Sequence, residues 1–403
     1  MDGLSQPTGA LSHLTVLDFT HRIAGPLCTK LLADFGAEVI KVERPETGDH
    51  SRSLGPFPSD VPHLEKSGTF LFYNTNKLGI TLNLKSPEGL RLVKELAKSV
   101  DVVVENFRPG VLSSFGLDFH TLINANPRMV LVSISNFGQT GPYKDYRATD
   151  IVAQAMGGLM YITGLNEREP LKEAFSQAQN WAGSMAAAAT LSSVMGARTT
   201  GRGSHVDVSI MECIASGLQS TLVWYSYMGA ERRRQELALG GLNYIFPSND
   251  GYVVPMLGSG QSWEIFTNLV DEPALREPRF ATHYDRLIHA KELNGILADC
   301  FQKDSKHEIF HKGQGWGFPF GLVQTPEDLA HCPQLLERGF WPRVEHPVAG
   351  NLPYPGRPFA MSKSPWQVRR PAPTLGQHNQ EVYCDRLGYS EKELATFVQS
   401  GII

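Results

Sequence analysis

The sequence predicts an α/β fold, a mostly parallel sheet interleaved with helices, followed by a smaller α+β region and a returning tail. Three observations predict it. The segments LTVLDFT, GPLCTKLLADF and EVIKVE read as strand, helix and strand. The chain after Ser86 repeats that alternation. Around 225–250 the composition turns charged and rich in Gly, Asn and Pro before a new strand-like run, GYVVPML. Strands that alternate with helices pair in parallel, and such sheets take ligands outside the carboxyl ends of their strands.

Each element has its own reason. LTVLDFT (14–20) is β-branched and aromatic, as a strand requires. The helix after it stops at Gly36, and EVIKVE (38–43) forms the next strand. Ser86 is an N-cap, Pro87 suits the first helical position and Glu88 complements the dipole of the helix GLRLVKELAKSV. The strands DVVVENF (101–107) and MVLVSISNF (129–137) follow. Strand ends therefore carry Thr20-His21-Arg22, Glu43-Arg44, Asn106-Phe107-Arg108 and Ser135-Asn136. Asn180 reads as the N-cap of WAGSMAAAATLSSVM, a helix whose small residues favour close packing. It ends at TTGRG, and VDVSIME (206–212) reads as a strand or a buried continuation. The expected division is 1–224, 225–324 and a proline-rich tail, 325–403.

With 403 residues, 41% hydrophobic and 19% charged, the chain can bury the core of two domains. A net charge of −4 leaves no electrostatic footprint for nucleic acid. The run Glu231-Arg232-Arg233-Arg234 is too short for a binding stripe and reads as a solvated connector. Cys28, Cys213, Cys300, Cys332 and Cys384 are far apart with no C-x-x-C pair, which argues against a disulfide framework and fits a reducing cytoplasm. The start, MDGLSQPTGALSHL, lacks a charged segment followed by an apolar one, and no apolar run is long enough to span a bilayer. The expectation is a cytoplasmic protein with no membrane or nucleic-acid partner.

The turn HRIAGPLC has one glycine and cannot be G-x-G-x-x-G, so neither nicotinamide nor flavin is expected. His307-Glu308-Ile309-Phe310-His311 matches H-E-x-x-H, but Gly313 and Gly315 follow at once and no third ligand is apparent. No metal is expected. GSGQS (258–262) is not G-x-S-x-G and has no assignable base. The His21 ring suits donation to a phosphate or thioester oxygen, and equally suits local backbone groups. One stretch raises a question of its own: from Lys172 to Gly203 there is no acid after Glu173, and none follows until Asp207. Ser176, Gln177, Gln179 and Asn180 can position a substrate, but amides do not attack one.

Several stretches, taken together, resemble class III CoA-transferases: VLDFTHRIAGPLCTKLLADFGAEVIKVERPETGD, YNTNKLGITLNLKSPEG, DVVVENFRPGVLSSFGL, SISNFGQTGPY, TTGRGSHVDVSIME and GFPFGLVQTPEDLA. The resemblance implies a Rossmann-like large domain built from both chain ends, an inserted smaller α+β domain and an interlocked dimer. It implies coenzyme A contacts from His21, Arg44, Asn106, Phe107 and Arg147, the last replacing a family lysine. It also implies catalysis by an aspartate that attacks an acyl-CoA carbonyl and passes CoA to a free carboxylic acid through anhydrides and an enzyme thioester. Aligned on Thr200 and Gly183, that aspartate falls on Gln179. Glu173 could replace it only if the chain folds back. The racemase histidine of the wider family falls on Thr149, beside Asp150, and Ile23, Leu78 and Ser114 replace polar or basic family residues. Three readings follow: a CoA-transferase, a silent subunit paired with a related chain that carries the aspartate, or an acyl-CoA isomerase or lyase using Asp150 or Glu173 as base.

Overall fold

The computed structural model describes residues 9–231, 234, 241–257 and 262–403. Arg232 and Arg233 of the basic run, and Gly258 to Gln261 of GSGQS, lie outside the described residues. The chain forms two compact units, one of Met1–Met160, Lys172–Glu231 and Gly339–Ile403, the other of Tyr161–Leu171 and Arg232–Arg338. The second unit thus runs past the expected limit of 324 and gathers an earlier segment. Lys306 pairs with Asp328, which holds the helix Pro326–His331 to it. The Arg234 guanidinium donates to the carbonyls of Leu165 (2.9 Å) and Tyr161 (3.1 Å), which holds the segment 161–171.

The first unit is built on six parallel strands: β1 (Thr15–Asp18), β2 (Glu38–Glu43), β3 (Lys77–Thr81), β4 (Val102–Glu105), β5 (Val130–Ser135) and β6 (His205–Ser209). Their order is β3-β2-β1-β4-β5-β6. The connection reverses direction between β1 and β4, where parallel sheets open a crevice at their carboxyl ends. Helix α1 (Ala24–Asp34) follows β1. Helix α2 (Pro87–Ala97) starts as its sequence indicates, with Ser86 Oγ accepting the Gly89 N–H at 2.9 Å. Helices α3 (Asp150–Met156), α4 (Gln177–Thr200), α5 (Ile210–Gly217) and α6 (Gln219–Met228) complete the unit's main helices. VDVSIME is therefore divided: its first half extends the sheet, and Ser209 caps α5 by accepting the Glu212 N–H.

Lys77–Thr81 has no continuous apolar run, yet it is a sheet edge buried along its whole length. The tail satisfies that edge. Gly79 N–H donates to His378 Nδ1 (3.0 Å), Thr81 N–H to Asn379 Oδ1 (2.9 Å), and the Tyr383 hydroxyl to the Thr81 carbonyl (2.8 Å). Val382, Tyr383, Phe397 and Ile403 join the core cluster formed by Leu17, Ile40, Ile80, Leu92 and Val103. Covering an edge in this way removes a pairing template and brings the C-terminus into the core.

The second unit has its own antiparallel sheet, β7 (Phe246–Ser248), β8 (Gly251–Pro255) and β9 (Phe320–Leu322), in the order β7-β8-β9. Helices α7 (Ala290–Phe301) and α8 (Lys306–Gly315) share its core of Phe246, Val253, Phe266, Leu297, Ile309 and Phe320.

Buried charged side chains tie the carboxyl ends of β1 and β2 to the start of β3 and to the loop after β2. Asp18 accepts from Lys77 Nζ (3.0 Å), Thr29 Oγ1 (2.7 Å) and the Thr20 N–H (2.8 Å). Lys41 Nζ sits 2.8 Å from Asp49 Oδ2 and donates to the Thr20 carbonyl at 2.8 Å. Glu43 takes two hydrogen bonds from Arg52, at 2.7 and 2.8 Å, and one from the Asp49 N–H at 2.8 Å. All six charged groups are at most 2% exposed. Removing one member of such a pair strands the other charge in a medium that cannot solvate it. Arg52→Ala should lower unfolding free energy by about 3–5 kcal/mol in urea titrations. Arg91→Ala, which breaks an exposed pair with Glu88, should cost less than about 1 kcal/mol.

Candidate active site

The site is built from the turn after β1. Asn106, just past the end of β4, clasps His21 on both sides of its backbone: its Oδ1 accepts the His21 N–H (2.8 Å) and its Nδ2 donates to the His21 carbonyl (2.7 Å). The next N–H, of Arg22, donates to Asp49 Oδ1 at 3.0 Å. The His21 ring packs against Phe107 with centroids 5.9 Å apart. Burial lowers the His21 pKa to about 4, and the charges of Lys41 and Arg44 add to this while Asp49 opposes it, so the ring is neutral at neutral pH. Phe107 is fixed in turn by its N–H, which donates to Glu105 Oε2 at 2.7 Å. Burial pushes Glu105 up to about 7, with the nearby Asp207 adding to the shift.

The long helix α4 begins at Gln177, not at Asn180. Asn180 lies in the first turn, and its Oδ1 accepts the Tyr73 hydroxyl at 2.7 Å. No local side chain caps the helix. The cap comes from 29 residues upstream: Asp150, the first residue of α3, accepts the Gln179 N–H on Oδ1 at 3.1 Å. Its Oδ2 accepts Gln154 Nε2 at 2.7 Å and lies 3.8 Å from the Lys172 ammonium. A carboxylate at a helix N-terminus satisfies an orphan N–H and the macrodipole together. The first turn of α4 therefore takes its capping carboxylate from Asp150 and not from the Lys172–Gly203 stretch. At Gly183, nearly two turns into α4, a Cβ would stand 2.5 Å from the Ala24 carbonyl oxygen. That close approach sets the start of α4 beside the His21–Ile23 turn.

Asn106, Phe107, Arg147, Asp150 and Gln179 line one cleft of about 540 Å³, together with Arg22, Arg108, Lys144 and Ser176. His21 and Arg44 line two adjoining clefts of about 770 and 500 Å³, the first of which shares Arg22, Asn106 and Arg108 with it. Glu173 is not among the lining residues; its N–H donates to Gln154 Oε1 at 2.9 Å, so it is tied to the site only through its backbone. The cleft is strongly basic, with Arg22, Arg108, Lys144 and Arg147 around one acid, Asp150. Arg108 is visible in the sequence at a strand end, whereas nothing there marks Lys144 as a cleft residue, and sequence reading missed the buried pairs beneath. The signal for those pairs was present: a lysine amid apolar residues in both EVIKVE and NKLGIT marks a charge that must be paired.

The H-E-x-x-H segment lies on α8, with its two imidazole rings 6.5 Å apart. Glu308 closes a capping box with Ser305, so its carboxylate is occupied by the helix start. Among the described residues, no three His, Cys, Asp or Glu side chains are grouped to hold a metal, and no helix is long and apolar enough to cross a membrane.

Two groups of the site give opposite pH signatures. His21 has its pKa lowered from 6.5 to about 4, so its contribution to stability is complete above 6.5 and is lost as pH falls through 4. Glu105 is raised from 4.5 to about 7, so its contribution is complete below 4.5 and is lost as pH rises through 7. In urea titrations, His21→Gln should gain on the unaltered protein as pH falls from 6.5 to 4. Glu105→Gln should gain as pH rises from 4.5 to 7. Each change amounts to roughly 3 kcal/mol at most.

The chain is 32% identical over 397 residues to human succinyl-CoA:glutarate CoA-transferase, covering 98% of this chain and 90% of that one. It is 30% identical over 405 residues to succinyl-CoA:(R)-benzylsuccinate CoA-transferase subunit BbsE of Thauera aromatica, covering 97% and 98%. The crystal structure of a CAIB/BAIF family protein from Brucella suis superposes with a TM-score of 0.85 at 29% identity, over 94% of this chain and 99% of that one. Residues 11–379 match the model of CoA-transferase family III, the family to which this chain belongs.

Proposed function

We propose that this protein binds an acyl-CoA in the basic cleft and transfers its CoA to a free carboxylic acid, with Asp150 supplying the enzyme carboxylate. One observation carries the reading: Asp150 Oδ1 lies 3.1 Å from the backbone nitrogen of Gln179, the position at which the family resemblance expects an aspartate. Gln179 itself cannot attack, because its amide lone pair is delocalised and no stable anhydride would form. It orients the thioester instead. The CoA phosphates are assigned to Arg44 and Arg147, where guanidinium forks can make paired, charge-assisted hydrogen bonds. The relatives named above, which use succinyl-CoA with dicarboxylic acids, favour an acyl group of that kind.

The chemistry balances without water. An Asp150 oxygen adds to the thioester carbonyl and the C–S bond breaks, leaving an acyl-aspartyl anhydride and the CoA thiolate. The thiolate attacks the Asp150 carbonyl, which releases the donor acid and leaves CoA on the enzyme. The acceptor carboxylate then attacks that thioester, and the thiolate returns to the acceptor's carbonyl, restoring Asp150. Lys172, Gln154 and the Gln179 N–H hold the free Asp150 carboxylate in place for the first attack.

A second reading has its own support. Gln179 stands where a carboxylate is expected, and one relative is named as a subunit. In that reading the chain binds acyl-CoA but works only beside a related chain that carries the aspartate. The two are separated by assaying the purified chain alone with succinyl-CoA and glutarate. Transfer, a hydroxylamine-sensitive adduct on Asp150 and a loss of at least about 10³-fold in Asp150→Asn support the first reading. Acyl-CoA binding with neither transfer nor adduct supports the second.

Both readings include a dimer, interlocked as the resemblance implies, of two copies or of this chain with a relative. Leu222, Val223, Tyr225, Tyr227 and Met228 on α6 are each more than half exposed, a large apolar surface for an isolated chain. Light scattering should give about twice the 44.5 kDa chain mass. A stable monomer at micromolar concentration would contradict the dimer.

A further inference from the structure

Arg22 is held in a conformation that side-chain-bearing residues seldom adopt. Its φ is 71°, in the left-handed region, where a Cβ costs roughly 1–2 kcal/mol. Its surroundings enforce that conformation. Its N–H is bound by Asp49 Oδ1 at 3.0 Å, and the same oxygen accepts the Ser51 N–H at 2.7 Å. The other Asp49 oxygen is locked to Lys41, which is fully buried. On the preceding residue, Asn106 clasps both backbone groups of His21. The backbone is pinned from two sides, and the exposed side chain stands where two clefts meet: the one lined by Ser176 and Gln179, and the one lined by Arg44. Among the described residues no acid pairs with its guanidinium. A positive charge carried on a pinned backbone, in the cleft that Asp150 and Gln179 line and without a counter-charge, fits an anionic ligand.

We infer that Arg22 binds the carboxylate at the far end of the acyl chain and so selects acyl-CoAs of dicarboxylic acids. The inference rests on the proposed function. A guanidinium holds a carboxylate through two parallel charge-assisted hydrogen bonds, whereas a terminal methyl at that place leaves it unpaired. Arg44 and Arg147 are left for the phosphates. Asp49, acting through the Arg22 backbone, is a positioning residue for this selection.

Titration calorimetry with succinyl-CoA and butyryl-CoA tests it, since the two share chain length and CoA and differ only in carboxylate against methyl. All titrations are made in an Asp150→Asn background, because the donor half of the proposed reaction needs no acceptor and would otherwise add its own heat. The Asp150→Asn protein should prefer succinyl-CoA by about tenfold or more, the worth of one charge-assisted pair. Arg22→Ala should abolish the preference while leaving butyryl-CoA affinity within about twofold, and Arg22→Lys should keep part of it. Arg22→Gly, which also relieves the left-handed backbone, should melt no lower than the Asp150→Asn protein and lose the preference equally. Equal weakening of both ligands in Arg22→Ala would overturn the inference and make Arg22 a phosphate contact. Absence of preference in the Asp150→Asn protein, with both ligands bound, would overturn it too. If the Asp150→Asn protein binds neither ligand, the proposed function itself fails, and the selection by Arg22 with it.

Discussion

Lys41 and Asp49 form an ion pair from which water is excluded, and the loops that build the cleft hang from it. Lys41 projects from the middle of β2 and ties Asp49 to the Thr20 carbonyl, so one ammonium fixes the end of β1 and the loop after β2 together. Asp49 passes the constraint on to Arg22 and Ser51. Pairs of this kind contribute little net stability, because desolvation offsets most of the attraction. Their effect is on geometry. With Lys77–Asp18 on one side and Arg52–Glu43 on the other, the carboxyl ends of β1 and β2 are held to the start of β3 and to the loop after β2, and the exposed bases of the cleft have a fixed floor.

A second constraint is the way α4 is capped. Its first turn has no acid and no local cap, so an orphan N–H faces the cleft until Asp150 of α3 accepts it. The same bond that completes the helix puts a carboxylate beside position 179. That placement separates Asp150 from Glu173: Asp150 opens α3 and lines the cleft, whereas Glu173 lies in the segment before α4 and does not line it.

Much of the fold was legible because it depended on local signals. The β-branched runs at 38–43 and 130–135, and the Ser86-Pro87-Glu88 helix start, obey rules that act over a few residues. The failures share one cause, partners distant in sequence. Lys77–Thr81 is a strand because the tail, some 300 residues later, satisfies its edge. Asn180 resembles a cap because capping residues are sought next to their helix, and this one's lies 29 residues away. At the site, Asn106, Phe107, Arg147, Asp150 and Gln179 were indicated by strand ends and family resemblance, and one cleft gathers them. Arg22 was visible at a strand end, but its left-handed backbone and its lack of a counter-charge are properties of folded surroundings.

In the proposed mechanism Asp150, not the amide at 179, becomes covalently involved during transfer. Oxygen labelling tests it most directly. If the acceptor acid carries ¹⁸O in its carboxylate, the balanced sequence leaves one labelled oxygen on Asp150 after each cycle and releases it in the donor acid of the next. Mass spectrometry of the peptide containing Asp150, taken from protein turned over with succinyl-CoA and labelled glutarate, should show the label on that residue. Label that reaches the donor acid while Asp150 stays unlabelled, or that appears on Glu173, would exclude Asp150 as the enzyme carboxylate.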